Sequence, residues 1–212
     1  MNVLIAHCVV DYRLMGIPTL ITPRLLIREY TQQDLNSRHQ LTQRAFQITC
    51  SVDSIQQWLD WTLAAYRGLE RLHQPPYGDY LVALRGSQQV VGSIGLVPAL
   101  VPWNVFDATA DSSMLNRVTT EMGLFWAIDP DFWGNGYATE AANAFVAYAF
   151  ETLKLKQLVA TTERDNLPSQ RVMTKLGMQV LHNPTQEPFW FEVVGLLTYH
   201  DWNLIRSKIE KI

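Results

Sequence analysis

The residues best suited to chemistry lie in one short stretch, Trp133-Gly-Asn-Gly-Tyr-Ala-Thr-Glu-Ala141. Gly134 and Gly136 remove side chains where the chain must turn, so the backbone there can approach a ligand closely. A helix is predicted directly behind them, and its first-turn amides have no acceptor inside the helix. Together with the helix dipole, those amides form an anion site that needs no charged side chain. There is no Gly-Lys-Ser/Thr, so this is not a P-loop, and no GxGxxG, so it is not a dinucleotide fingerprint. Two glycines at this spacing also make a plain tight turn, and GxG alone does not separate the two readings. Farther on, Asn166 with Pro168 behind it reads as a helix N-cap. Cys8 and Cys50 form no CxxC pattern, and the histidines at 7, 39, 73, 182 and 200 show no HxxxH or HExxH spacing. No metal site is expected, and both cysteines are expected as reduced thiols of a cytosolic protein.

The elements that must position this stretch follow from the hydrophobic pattern. Residues 24–30 read as a first strand, and Thr31-Gln-Gln-Asp34 has the shape of a capping box opening a helix to about Phe46. A second helix is predicted from Asp53 to about Leu72, with Ile55, Leu59, Leu63, Tyr66 and Leu69 at helical spacing. Residues 79–85 and 89–97 read as an antiparallel hairpin turning at Gly86-Ser87-Gln88. A long loop then runs from Pro98 to about Asn116, and a strand over 117–128 stops at Asp129-Pro130. Ala138, Ala141, Ala142, Phe145, Val146, Ala149, Phe150 and Leu153 make one apolar helix face. A strand at 156–162, a helix behind Asn166, and strands at 178–182 and roughly 192–205 complete the chain. Strand 117–128, its helix and strand 156–162 form a βαβ crossover, so those two strands should be parallel in an otherwise antiparallel sheet. The expected fold is a mixed α/β domain: a seven-stranded, mostly antiparallel sheet with one parallel pair and helices on both faces.

Bulk composition narrows the function class. At 212 residues, 48% hydrophobic and 17% charged, the chain suits one globular domain rather than long disorder. A net charge of −3 without a basic run argues against nucleic-acid binding, but not against one phosphorylated ligand. No apolar run approaches the roughly 20 residues needed to span a bilayer. Met1–Val10 is apolar but lacks a basic lead-in and a small-residue cleavage site, so it is not read as a signal peptide. Residues 1–20 are expected as an N-terminal extension and 21–212 as the domain, in a cytoplasmic protein that is a monomer or homodimer.

Four segments in order resemble the GNAT (general N-acetyltransferase) superfamily, in particular the branch containing the ribosomal-protein N-terminal acetyltransferases. They are Thr22-Pro-Arg-Leu-Leu-Ile-Arg28 with Asp34; Val91-Gly-Ser-Ile-Gly95; Glu121–Ile128 followed by Phe132–Ala141; and Asn166-Leu-Pro-Ser169 followed by Arg171-Val172 and Lys175-Leu-Gly177-Met178. The superfamily loop reads Gln/Arg-x-x-Gly-x-Gly/Ala; here Trp133 stands first, and Gly136 and Ala138 match.

The resemblance implies acetyl-CoA as cosubstrate and a primary amine as acceptor, either a protein N-terminus or a small molecule. A non-catalytic acyl-CoA sensor is the alternative from another class. The resemblance places the pyrophosphate on the loop Trp133, Gly134, Asn135, Gly136, Tyr137, Ala138 and Thr139, with the backbone amides from about Gly134 to Thr139 as its donors. It pairs the pantetheine arm with Trp126, Ala127 and Ile128, with an oxyanion donor near Ala127. That pairing requires strand 117–128 to splay from strand 156–162. Asn166 would reach the pantetheine, and Arg171 is assigned to a cofactor phosphate. Glu121 is the candidate base. Many relatives carry a Tyr acid seven residues after the helix-motif Asn; here that position is Met173, and Ser169 is the replacement named. Glu121 as a salt-bridged strand carboxylate, Ser169 as a first-turn helix contact and Arg171 as a surface residue are the structural alternatives.

Overall fold

In a computed structural model of the chain, residues 17–72, 74, 77–106, 117–185 and 187–209 are described. The expected extension therefore lies outside the described residues up to position 16, together with Cys8 and His7; His73 and residues 107–116 of the expected long loop also lie outside them.

The chain runs β1 (Leu20–Ile21), β2 (Leu25–Arg28), α1 (Leu35–Ala45), α2 (Val52–Arg71), β3 (Gly78–Leu84), β4 (Val90–Val101), β5 (Thr119–Ile128), α3 (Tyr137–Glu151), β6 (Gln157–Thr162), α4 (Leu167–Lys175), β7 (Gln179–His182), β8 (Val193–Thr198) and α5 (Tyr199–Ile209). The strands form one sheet in the order β1-β2-β3-β4-β5-β6-β8-β7. All pairs are antiparallel except β5–β6.

Three details correct the sequence reading. The sheet has eight strands, not seven: the two residues of β1 pair with β2, Leu20 opposite Ile27, on the far side of a turn closed by Thr22 N–H to Leu25 C=O. Two residues are too few to show a period of two. Second, β4 does not end at Pro98 but continues to Val101, opposite Thr119. Proline is tolerated because Pro98 lies past Leu96, where pairing with β3 ends, so no partner there needs its missing N–H. Third, the last strand stops at Thr198 and residues 199–205 are helical. Thr198 Oγ1 accepts from the Asp201 N–H (3.1 Å) and donates to Asp201 Oδ2 (2.6 Å), which caps α5. Tyr199 and Trp202 then pack on Phe150 at helical spacing.

The two faces of the sheet are separated by alternation along β3. Leu81 and Ala83 pack with Tyr30 and Leu59 beneath α1 and α2. Tyr80 and Val82 face the other way, into the main core with Phe145, Val146 and Ala149 of α3. Each large apolar side chain so buried contributes about 1.5–3 kcal/mol. The alanine face predicted for α3 lets it lie close to the sheet: Ala141, Ala142, Phe145 and Ala149 are all buried. This packing fixes the point from which α3 springs, directly after β5.

Candidate functional site

β4 and β5 pair without interruption from Gly92–Ile128 to Val101–Thr119. β6 pairs along its whole length with β8. Between β5 and β6, however, the ladder registers at one position only, Gly123 opposite Val159. On the near side of Gly123 the Gln157 side chain still ties the two strands, donating to Glu121 Oε2 (2.7 Å), so the opening lies beyond Gly123, on the side of β5 that leads to the glycine loop.

Which backbone groups face the opening follows from alternation. The Asp129 N–H bonds Val91 C=O (2.9 Å), so residues of its parity, including Ala127 and Phe125, turn their polar groups to β4. Trp126 and Ile128 turn theirs to the opening. In a parallel bridge centred on Gly123, the flanking residues Met122 and Leu124 address β6, so the first N–H beyond it is that of Trp126. The carbonyl of Ile128 is already engaged, accepting from Trp133 Nε1 at 2.6 Å.

A short 3-10 turn, Pro130–Phe132, carries the chain into the loop; the Asp129 carboxylate caps it by accepting from the Asp131 N–H. Arg44 of α1 braces this turn through Asp129 (2.9 Å) and Asp131 (2.5 Å). The Trp133 N–H is used within the turn, bonding Pro130 C=O. Trp133 thus shapes the loop, and the amides left for an anion begin after it. Gly134 and Gly136 both adopt left-handed backbone, φ 77° and 78°, and Gly136 is the N-cap of α3. Asn135 folds its amide back, donating to the carbonyls of Phe132 (3.1 Å) and Trp133 (3.2 Å). Tyr137, Ala138 and Thr139 form the first turn of α3, and the first helical bond runs from Glu140 N–H to Gly136 C=O.

Residues far away in sequence hold this junction. Glu140 accepts from the Thr22 hydroxyl (2.6 Å), the Arg24 N–H (2.9 Å) and Arg24 Nε (2.6 Å). Burial pushes the Glu140 carboxyl up, but the bonds from Thr22 and Arg24 outweigh it and hold the group below its ordinary value. Arg24 Nη1 also donates to Asn135 C=O (2.8 Å), and its guanidinium lies 4.7 Å from the centre of the Tyr137 ring. Sequence reasoning placed Thr22 and Arg24 only in an opening strand motif and Glu140 only within the glycine-loop stretch. Their convergence spans more than a hundred residues and leaves no local signal.

α4 starts beyond the end of β6, the other arm of the opening. Asn166 caps it, Oδ1 accepting from the Ser169 N–H at 3.2 Å. Asn166 and Ser169 are half-buried, whereas Arg171 is exposed. Met173 is wholly buried in the main core, so that position points away from any reacting group.

Glu121 lies apart from this cluster. It accepts from Trp103 Nε1 (2.9 Å) and the Thr119 hydroxyl (3.2 Å) on Oε1, and from Gln157 Nε2 (2.7 Å) on Oε2. Five residues separate it from Trp126, about 16 Å along an extended strand. Its surroundings are aromatic: Trp103, Phe106 and Phe191 pack together at centroid separations of 5.8–6.3 Å. The structure gathers Trp126, Ile128, the 133–139 loop and the Asn166 helix start at one end of the sheet, and sets Glu121 at the opposite end of β5.

A second polar cluster lies beneath α1. Asp79 pairs with Arg38 at 2.9 Å and accepts from the Ser93 hydroxyl. The Arg38 guanidinium sits 3.9 Å from the Trp58 ring centre. Burial drives the Asp79 carboxyl up to about 7, against the opposing pull of Arg38. Among the described residues no group of His, Cys, Asp and Glu has the arrangement of a metal site, and no helix is long and apolar enough to cross a membrane.

Comparison with known proteins adds an independent line. A family model described as "Acetyltransferase (GNAT) domain" matches residues 24–179. Over 169 residues the chain is 28% identical to Uncharacterized N-acetyltransferase YoaA of Bacillus subtilis (strain 168), covering 76% of this chain and 83% of that protein. It is 34% identical over 90 residues to Uncharacterized N-acetyltransferase YnaD of the same organism; that match covers 40% of this chain and spans about half, 52%, of YnaD. The solved structure of a putative ribosomal-protein-serine acetyltransferase from Vibrio cholerae superposes with a TM-score of 0.59 at 20% identity, covering 87% of this chain and 99% of that one. At that identity the likeness is one of fold.

Proposed function

The chain belongs to the GNAT acetyltransferase family, and from that premise we propose that it transfers the acetyl group of acetyl-CoA to a primary amine within a ternary complex. The observation that carries this reading is the opening of the sheet after Gly123, beside a loop whose left-handed Gly136 launches α3. Residues present there fit the cosubstrate. The amides from Gly134 to Thr139 would hold the pyrophosphate, at the positive end of the helix. The Trp126 C=O and the Ile128 N–H would pair with the pantetheine arm as an added strand would. Asn166, its Oδ1 engaged in the cap, has its Nδ2 to offer. The exposed Arg171 of α4 is assigned to a cofactor phosphate.

Acetyl-CoA, when bound, supplies a thioester carbonyl open to attack by an amine. Ala127 remains part of the binding strand, but its own N–H addresses β4, so the donor toward the carbonyl oxygen is the neighbouring Trp126 N–H. Glu121 is assigned to take the amine's proton. Its distance along β5 routes that proton through water, and its three donors hold the carboxylate in one orientation. Ser169 is assigned to return a proton to the departing sulfur, in place of the buried Met173. Holding both reactants in line supplies a large part of the rate.

Isothermal calorimetry with acetyl-CoA, followed by a thiol-release assay over peptide N-termini, amino acids, polyamines and aminoglycosides, tests the reading and assigns the acceptor class. Binding together with acceptor-dependent thiol release is expected. Binding without release under every acceptor favours an acyl-CoA sensor, and absence of binding overturns the proposal.

A further inference from the structure

Resting on the acyl-CoA reading above, we infer that Arg24 is a positioning residue of the pyrophosphate loop: it aims the Gly136 amide into the anion site and neutralises Glu140 beside it. Arg24 enters from the turn just before β2 and grips the loop–helix junction at successive points: the Asn135 carbonyl (2.8 Å), the Tyr137 ring (4.7 Å) and the Glu140 carboxylate (2.6 Å). The peptide unit joining Asn135 to Gly136 is planar and trans, so its C=O and N–H point in opposite directions. With the carbonyl tied to Arg24, the Gly136 N–H is directed away from Arg24. Gly136 has no Cβ to restrict its φ, so this unit can rotate unless something holds it at the left-handed value. Arg24 supplies the hold without itself being on the ligand's side of the peptide.

The second contribution is electrostatic. Glu140 puts a carboxylate in the first turn of α3, at the helix end that must receive phosphates. Unpaired, it would repel them; paired with Arg24 and capped by the Thr22 hydroxyl, its charge is balanced locally. A planar guanidinium can serve a carbonyl and a carboxylate at once, which an ammonium on a flexible stem does less well.

The experiment compares wild type with Arg24→Ala, Arg24→Lys and the double variant Arg24→Ala/Glu140→Gln. Acetyl-CoA affinity is read by calorimetry, and turnover is measured with acetyl-CoA and with S-acetylpantetheine, which carries no phosphate. Arg24→Ala is expected to raise Kd and KM for acetyl-CoA about tenfold or more, while kcat at saturation and kcat/KM for acetylpantetheine stay within about twofold. Arg24→Lys falls between, and the double variant recovers only part of the loss. Wild-type affinity in Arg24→Ala overturns the inference, and so does an equal loss with acetylpantetheine, which signals general damage. Should Arg24→Ala fail to fold, Arg24→Lys and Thr22→Val, which breaks the other half of the latch, are judged by the same split. A wild-type protein that does not bind acetyl-CoA refutes the acyl-CoA reading itself, a result distinct from either.

Discussion

Replacing Gly136 by valine is the sharpest perturbation of the proposed phosphate loop, and the structure says how it acts. A Cβ built on Gly136 meets nothing nearer than Arg24 Nη2, at 3.6 Å, an ordinary contact. Crowding within the free protein is therefore not the cause of damage. The cause is φ, which at 78° is left-handed. An L-residue there costs roughly 1–2 kcal/mol, and a β-branched one more. The chain has two responses. It can keep the conformation and lose that much stability, with the valine side chain then standing where backbone should meet the ligand. Or it can rotate to negative φ, which swings the amides of Gly136 and Tyr137 off their line. Each charge-assisted bond so lost is worth about 1.5–3 kcal/mol, so losing both should lower acetyl-CoA affinity by roughly two to four orders of magnitude. Calorimetric Kd and thermal melting on the same samples test this. Gly68→Ala is the control: it sits in α2 at ordinary φ with nothing within 4 Å. It should melt slightly higher and bind unchanged. A Gly136→Val protein that binds acetyl-CoA as wild type does would refute the loop assignment.

Further outcomes follow from the same geometry. Glu121→Gln should lower turnover and flatten the pH–rate profile at unchanged acetyl-CoA affinity; an unaltered rate and profile would remove Glu121 from the proton path. Asn166→Ala should cost about 1 kcal/mol of stability through the lost cap and also weaken acetyl-CoA binding; a change in melting alone would restrict Asn166 to the cap. Asp79 titrates near 7 when folded and near 3.9 when unfolded, so the folded state binds its proton more tightly. Its contribution is full below about pH 4 and lost as pH rises to about 7. Chemical denaturation of wild type and Asp79→Asn between pH 4 and 8 should show the wild type losing ground on the variant steadily as pH rises toward 7. Parallel stability curves would refute that environment for Asp79.

Much of this molecule is local, and local features are legible in a chain. The α3 face from Ala138 to Phe150, the N-cap at Asn166 and the turn glycines at 134 and 136 each declare themselves through near neighbours in the chain. Even the missed helix α5 carried its signal: Thr198-Tyr-His-Asp201 repeats the Thr-x-x-Asp pattern recognised at Thr31–Asp34. A preceding run of β-branched and leucine residues drew the strand reading across it. The two-residue β1 was illegible because it is too short to have a period.

The sequence by itself determined the crossover that makes β5 and β6 parallel and the glycine turn that opens α3, because short-range spacing encodes both, while four segments in order carried the resemblance to the family. Only the tertiary structure decided how far the two strands stay paired, which amides of β5 face the gap, and what holds the loop. Those depend on β6 running along β8 rather than β5, on the parity set by the Asp129–Val91 bond, and on Arg24 crossing from the turn before β2 to Asn135 and Glu140. Such contacts join residues more than thirty positions apart through the packing of the whole sheet. No spacing along the chain records them.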